Sequence, residues 1–280
     1  MLQKKLLKAF ITKEKIFLIL ITMIFISLSL FMVYKQSIYS HNGYFDENPQ
    51  GALSLYYYFH CIGINPYLFF LMMLLIPNLT GYDFLNIHQN HTAYLIETRL
   101  TKKQYYDQCF IFNILLSILT TLFIELFILA IIHFLIAPLR FNTTLYPENY
   151  YVTAQILSSN ECLNLIGFVL LTSLGYGLVS SITFSLQIVI NNKYIYRCFG
   201  VIFGILLVLI PALIQGYLPI REAAFILQIN NLVALGMENV RANAFHLPHI
   251  GMYFYCFICY TLASIGCFAM MKKWRHEYDS

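Results

Sequence analysis

Glu125 is the residue of this sequence with the clearest claim to chemistry. It is the sole acid deep inside a long apolar run, and an ionisable group held in hydrocarbon is costly and marks function by default. His133 follows eight residues on, two helical turns further and broadly on the same face. The pair can line a polar pathway. Alternatively, Glu125 is protonated and hydrogen-bonded to a neighbouring helix as a packing device, since no basic residue in another apolar run stands out as its partner. The other histidines (His41, His60, His88, His91, His246, His249 and His276) are scattered. His88 and His91, at i and i+3, are the only close cytoplasmic pair, with no Cys or acid beside them at metal-ligand spacing. Cys256 and Cys259 form a C-x-x-C on an apolar stretch, where cysteines act as small buried hydrophobes. The total of seven cysteines is odd and implies no disulfide framework. The chain has no G-x-x-x-x-G-K-[ST], H-E-x-x-H or G-x-S-x-G motif. No catalytic, metal-binding or cofactor-binding residue is therefore expected, and the chain does not read as an enzyme.

Composition explains why polar chemistry is so sparse. The 280 residues are 59% hydrophobic and 11% charged, with a mean hydropathy of +0.68. A soluble domain carries roughly 25% charged residues, so these charges cannot cover a soluble globule. Disorder requires the opposite balance. What remains is a single multi-pass membrane domain over 1–280. The net charge of +4 does not point to nucleic acid, because in such a chain the placement of Lys and Arg matters more than their sum.

About 20 apolar residues cross a bilayer, which gives six expected transmembrane helices. They lie near 16–34, 59–79, 110–136, 162–190, 198–214 and 250–271. The second is the most vulnerable to interruption, because Asn65-Pro66 can divide it. The first exceeds a usual signal-peptide core and no A-x-A site follows, so it reads as a retained helix. Lys4, Lys5, Lys8, Lys13, Lys15, Arg99, Lys102, Lys103, Lys193, Arg197, Lys272, Lys273 and Arg275 fall on one side of this topology. Only Lys35, Arg140, Arg221 and Arg241 fall on the other. Thirteen against four places both termini in the cytoplasm by the positive-inside rule.

The connecting segments carry their own patterns. Over 1–15, Leu2, Leu6, Leu7, Ala9 and Phe10 share one side of a helical wheel, and Lys4, Lys5, Lys8 and Lys15 the other. That is an amphipathic helix in the cytoplasmic interface, or else an ordinary basic flank. Within the loop 81–108, residues 86–98 predict a short helix with Ile87, Tyr94 and Leu95 on its apolar side. Such a helix suits docking to a cytoplasmic partner, or lies on the headgroups as a connector. The external segment 215–249 intersperses Leu227, Leu232 and Leu235 among polar residues and predicts helices dipping into the outer leaflet or packing over the bundle. In the fourth span Ser173, Gly177, Ser181 and Ser185 recur every four residues, and the fifth adds Gly200-x-x-x-Gly204. Small residues at this spacing let helix backbones approach closely, within the chain or between subunits.

This layout resembles the ABC-2 type permeases of ATP-binding-cassette transporters. They are similar in having an interfacial N-terminal helix, six spans with both termini inside, a coupling helix between spans two and three, and an external helical hairpin between spans five and six. The stretch YLIETRLTKKQYYDQ (94–108) is similar to the family's apolar pair, turn and basic run, with Leu100-Thr101 where the family has a turn proline. ILQINNLVALGMENVR (226–241) resembles the family's external stretch through Glu238 and Arg241, with Asn230-Asn231 in place of Asn-Pro. The resemblance implies one half of a membrane channel in the plasma membrane, paired with a second permease subunit, identical or different. A separate cytoplasmic ATPase would contact the coupling loop through Ile87, His91, Tyr94, Leu95, Glu97 and Arg99. It also implies export, with no cofactor bound by this chain. A non-transporting immunity or sensory protein that binds a peptide or protein partner is the other reading. The abundance of Phe, Tyr, Ile, Asn and Lys fits an AT-rich bacterial genome.

Overall fold

The computed structural model describes residues 12–40, 51–62, 65–79, 81–82, 84–85, 102–142, 157–190, 192–217, 227–235 and 247–278. Most of the expected interfacial helix, all of the 86–98 helix, and Glu238 and Arg241 lie outside the described residues. The elements are α1 (Lys13–Ser40), α2 (Gly51–His60), α3 (Pro66–Leu79), α4 (Lys102–Ile131), α5 (Glu161–Ser185), α6 (Lys193–Tyr217), α7 (Asn230–Val233) and α8 (His249–Tyr278). A π turn over Ile132–Ile136 prolongs α4, and a 3-10 turn over Leu186–Ile188 ends α5. No strand occurs among the described residues.

Five of these helices are long and apolar enough to cross a membrane: Lys13–Gln36, Gln104–Ile136, Glu161–Ser185, Lys193–Tyr217 and Ile250–Lys273. The regular structure of the described residues is all helical, and the five long apolar helices make the chain a multi-pass membrane protein. The stretch expected as one span over 59–79 is instead two helices. Pro66 opens α3, where its fixed φ and missing N–H are tolerated, and α2 has already ended at His60. At 1.5 Å per residue the 14 residues of α3 cover about 21 Å, less than the ~30 Å hydrocarbon core. The fourth span, expected to reach residue 190, ends as an α-helix at Ser185.

α5 is the centre of the bundle. Of its apolar window 78% is buried within the chain, against 17% for α6 and 22% for α8. It packs on α4, α8 and α7, with smaller contacts to α3 and α6. α4 runs antiparallel to it: Asn113 Nδ2 and Ser117 Oγ both donate to Ser180 Oγ, at 2.8 and 2.7 Å, and Gly177 faces Ile114 and Ile118. α8 runs parallel to it, from Tyr253, whose hydroxyl donates to the Leu171 carbonyl, to Ser264, which is 2.5 Å from Ser181. The small residues seen in the sequence thus serve contacts inside the chain. Ser173 is buried and bonds its own Val169 carbonyl, and Ser185 bonds the Ser181 carbonyl. Gly200 and Gly204 meet Met73, Pro77 and Phe69 of α3.

One end of the bundle carries Lys102, Lys193 and Lys272. There Phe84, Tyr105, Tyr106, Cys109, Phe184 and Met271 form a second apolar cluster. Phe84 and Tyr105 stack with their centroids 5.7 Å apart. This holds together the two ends of the segment 86–101 and ties both to α5 and α8. Lys272 pairs with Asp107 beside the cluster at 2.5 Å.

A side chain at Gly200 would run into the Met73 carbonyl, which is helix backbone and cannot step aside, whereas one at Gly266 meets nothing within 4 Å. Gly200→Ala is expected to destabilise the purified protein by about 1–3 kcal/mol. Gly266→Ala is expected to be neutral or to stabilise by about 0.5–1 kcal/mol through helix propensity. Denaturant unfolding of both variants in mild detergent measures the contrast.

Candidate functional site

The most concentrated polar chemistry of the interior is built from α2 and α4. Tyr56 and His60 are one turn apart on α2 and so project from the same face. That face meets Glu125 of α4. The Tyr56 hydroxyl donates to Glu125 Oε2 at 2.6 Å, and His60 Nε2 lies 2.9 Å from the same oxygen. The other ring nitrogen, Nδ1, is 2.8 Å from the Tyr56 carbonyl. That bond closes one turn of α2 and fixes the orientation of the imidazole. All three residues are buried, Glu125 to 1% exposure.

Aromatic rings seal the trio. Phe168 of α5 stands edge-on to His60 and to Tyr57, both with centroids at 5.2 Å, and to Tyr56 at 5.7 Å. Tyr56 and His60 tilt against one another at 4.5 Å. Electrostatic attraction is strengthened in so dry an environment. Because one carboxylate oxygen serves two partners, loss of the acid would strand both the imidazole and the phenol.

Further toward the start of α5, Glu161 is also buried. Its Oε2 accepts the Asn142 backbone N–H at 2.6 Å, and its Oε1 has no hydrogen-bond partner among the described residues. Asn160 caps the helix by accepting from the N–H groups of Cys162 and Leu163. Asn164 accepts from the Leu157 N–H at 3.2 Å and donates to the Tyr57 hydroxyl at 3.5 Å. Glu161 thus secures the extended stretch after the π turn to the head of α5.

Glu125 and His133 are not brought together. The π turn widens the end of α4, and His133 on it is exposed, accepting the Leu139 backbone N–H at 3.0 Å. The partner that the sequence did not offer is His60, 65 positions away on α2. A Tyr-x-x-x-His on a short helix was its one available signal. Ile87, His91, Tyr94, Leu95, Glu97 and Arg99 lie outside the described residues, as does His88. Among the described residues no cluster of three or more His, Cys, Asp or Glu could hold a metal. No family model, curated protein or solved structure matches the chain.

Removing one member of a buried pair leaves the other uncompensated, which costs about 3–5 kcal/mol. Glu125→Ala is expected to lose stability on that scale. Glu125→Gln, whose amide nitrogen in the place of Oε2 can donate to both the His60 imidazole and the Tyr56 hydroxyl, is expected to lose less than about half as much. Thermal unfolding in detergent, followed by near-UV circular dichroism of the tyrosines, distinguishes the two.

Proposed function

We propose that this chain is the permease subunit of an ATP-binding-cassette transporter, an exporter of the plasma membrane, and that it works with a separate cytoplasmic ATPase and a second permease subunit. The observation that carries the reading is the segment Leu227–Leu235. It is let into the bundle between the last two long helices, where α7 packs on α5 and α8. Residues 229 and 231–235 are buried. Tyr260 donates to the Leu227 carbonyl at 3.2 Å, and Leu232 lies against Gly175, deep along α5. An external hairpin between spans five and six is what the resemblance to ABC-2 permeases implies for this part of the chain.

The same reading makes α3, with helical residues 81–82 and 84–85 beyond it, the sixth crossing. It puts the end bearing Lys102, Lys193 and Lys272 in the cytoplasm, in keeping with the positive-inside rule. The aromatic cluster around Phe84 and Tyr105 then has a mechanical role. Force applied by an ATPase to the loop between these two residues reaches α5 through Phe184 and α8 through Met271, because all four belong to one packed cluster. Packed cores shift between discrete arrangements and do not deform continuously, so such a push would favour one opening of the channel over another. Hydrolysis of ATP stays in the separate subunit, and this chain contributes the membrane path and the docking loop.

The ATPase is expected to co-purify with the chain in mild detergent. Its absence would favour the non-transporting reading, a membrane protein that binds a peptide or protein partner. In the reconstituted complex, Tyr94→Glu and Leu95→Glu are expected to reduce ATP-driven transport at least about tenfold, the loss of about 1.4 kcal/mol of coupling. The ATPase's own basal turnover is expected to persist. Unchanged transport in both variants would remove the docking assignment.

A further inference from the structure

The hydrogen-bond geometry around Glu125 sets how many protons the site holds. The Tyr56 carbonyl can only accept, so His60 Nδ1, at 2.8 Å, carries a hydrogen. The Tyr56 hydroxyl spends its own hydrogen on Glu125 Oε2. Between His60 Nε2 and that same oxygen, 2.9 Å apart, one more proton is required. It makes either an imidazolium facing a carboxylate or an imidazole facing a carboxylic acid, and the count is the same in both. Without it, the lone pair of Nε2 would face a carboxylate oxygen 2.9 Å away among the buried rings of Phe168, Tyr56 and Tyr57.

We propose that Tyr56, His60 and Glu125 are a proton-binding latch: while the proton is present α2 is seated against α4, and when it leaves to solvent α2 comes away from its seat. The element that moves is identified by its size and its attachments. α2 has only ten residues, all of them buried. Among the described residues its contacts with α1, α3 and the π turn are small beside those that join the long helices, and its polar tie to α5 is the long 3.5 Å contact of Tyr57 with Asn164. The tie to Glu125 is its polar attachment to α4. Its far end is held by Asn65, whose side-chain amide donates to the Phe59 carbonyl at 2.9 Å and does not change with pH. Release would therefore unseat the His60 face of α2, and with it the cover over Cys61, while α2 stays attached through Asn65.

Other titratable groups near the latch bear on the same proton without replacing it. From α2 there is Tyr57, and from α5 there are Tyr176, within electrostatic reach of Glu125, and Glu161, within reach of Tyr57. The π turn offers only His133, which is exposed and engaged by Leu139. The junction before α3 contributes the neutral Asn65, and α1 has Lys35, exposed, near its end. Among the described residues His60 is the basic partner of Glu125. The proposal is independent of the transport reading, because it concerns how a helix is seated and not what crosses the membrane.

Cys61, the residue after α2, supplies a native reporter: its thiol is buried and in no disulfide. The test is maleimide labelling of Cys61 in the full chain in lipid nanodiscs, followed peptide by peptide by mass spectrometry between about pH 5 and about pH 9, the range over which histidines exchange protons. Glu125→Gln serves as reference, since its amide nitrogen can donate to both His60 Nε2 and the Tyr56 hydroxyl without a titratable proton of its own, and the ratio of rates cancels the ordinary rise of thiolate with pH. The wild-type to variant ratio is expected to be near one at the acid end and to climb about tenfold or more at the alkaline end. A ratio that stays flat across the range overturns the proposal, as does Cys61 that labels fast at every pH in the wild type. Should Glu125→Gln aggregate, His60→Gln takes its place, because its amide N–H faces the carboxylate and carries no titratable proton. The same rise is expected against it, and the same flat result overturns the latch.

Discussion

A backbone amide or carbonyl without a partner in hydrocarbon costs several kcal/mol, and the interruptions in this bundle are shaped by that cost. Between α2 and α3 the chain leaves helical geometry at the buried residue Asn65. Its backbone N–H reaches the Cys61 carbonyl at 2.7 Å, its side-chain amide takes the Phe59 carbonyl, and Ser29 of α1 donates to its Oδ1 at 3.4 Å. The segment around α7 solves the same problem differently. Its carbonyls are taken by Tyr260, by Cys256 and by its own short turn. Both interruptions lean on α5 or its immediate neighbours, which is why the most buried helix is also the one with the most small and hydroxylic residues.

Helices in lipid gain little from the hydrophobic effect when they associate, because the tails are as apolar as their side chains. The seams of this bundle show what replaces it. Between α4 and α5, Asn113, Ser117 and Ser180 share hydrogens across a contact made close by Gly177. Between α5 and α8 the same part is played by Ser181 and Ser264. α3 and α6 use no such ladder but a glycine face against Met73 and Pro77, with Asn78 reaching the Arg197 carbonyl at 2.9 Å. Polar ties set which residues face each other, and glycines set how near the backbones come. The remaining faces of α1, α6 and α8 are covered in exposed Ile, Leu, Phe and Met, suited to lipid.

How much of this was legible in sequence follows from the range of each interaction. The five long helices were legible because hydrocarbon thickness imposes a length and an apolarity that a single segment displays by itself. The division at Asn65-Pro66 was legible because proline acts on its immediate neighbours. The small-residue stripe on α5 announced close packing, but which helix each residue would meet depends on helix rotation, so the choice between intrachain and intersubunit contact needed the fold. Glu125 stood out by its rarity, yet its partner did not. His60 is 65 positions away, and only the return of the chain through α3 brings α4 to it. His133 misled for a local reason: eight residues carry a helix about 80° past two full turns, which sets it on the exposed stripe of Leu119, Phe123, Leu126 and Ala130 and not on the buried face of Glu125.

The polar tie at α2 raises the question of why an apolar contact would not serve. A ten-residue helix of Leu and Phe in this position would pack against α5 as well, and replacing a buried ion pair with apolar side chains is often neutral or stabilising. An apolar face, however, tolerates rotation and sliding, since dispersion contacts are nearly indifferent to register. Tyr56 and His60 converging on one oxygen allow a single rotation and a single depth. The His60–Tyr56 carbonyl bond then transmits that registration to the α2 backbone. Specificity of this kind carries a condition that an apolar seat does not, because the arrangement is satisfied only at one protonation count. A helix held by Leu and Phe would stay seated at every pH, whereas one held through a shared proton is seated only as long as the proton stays.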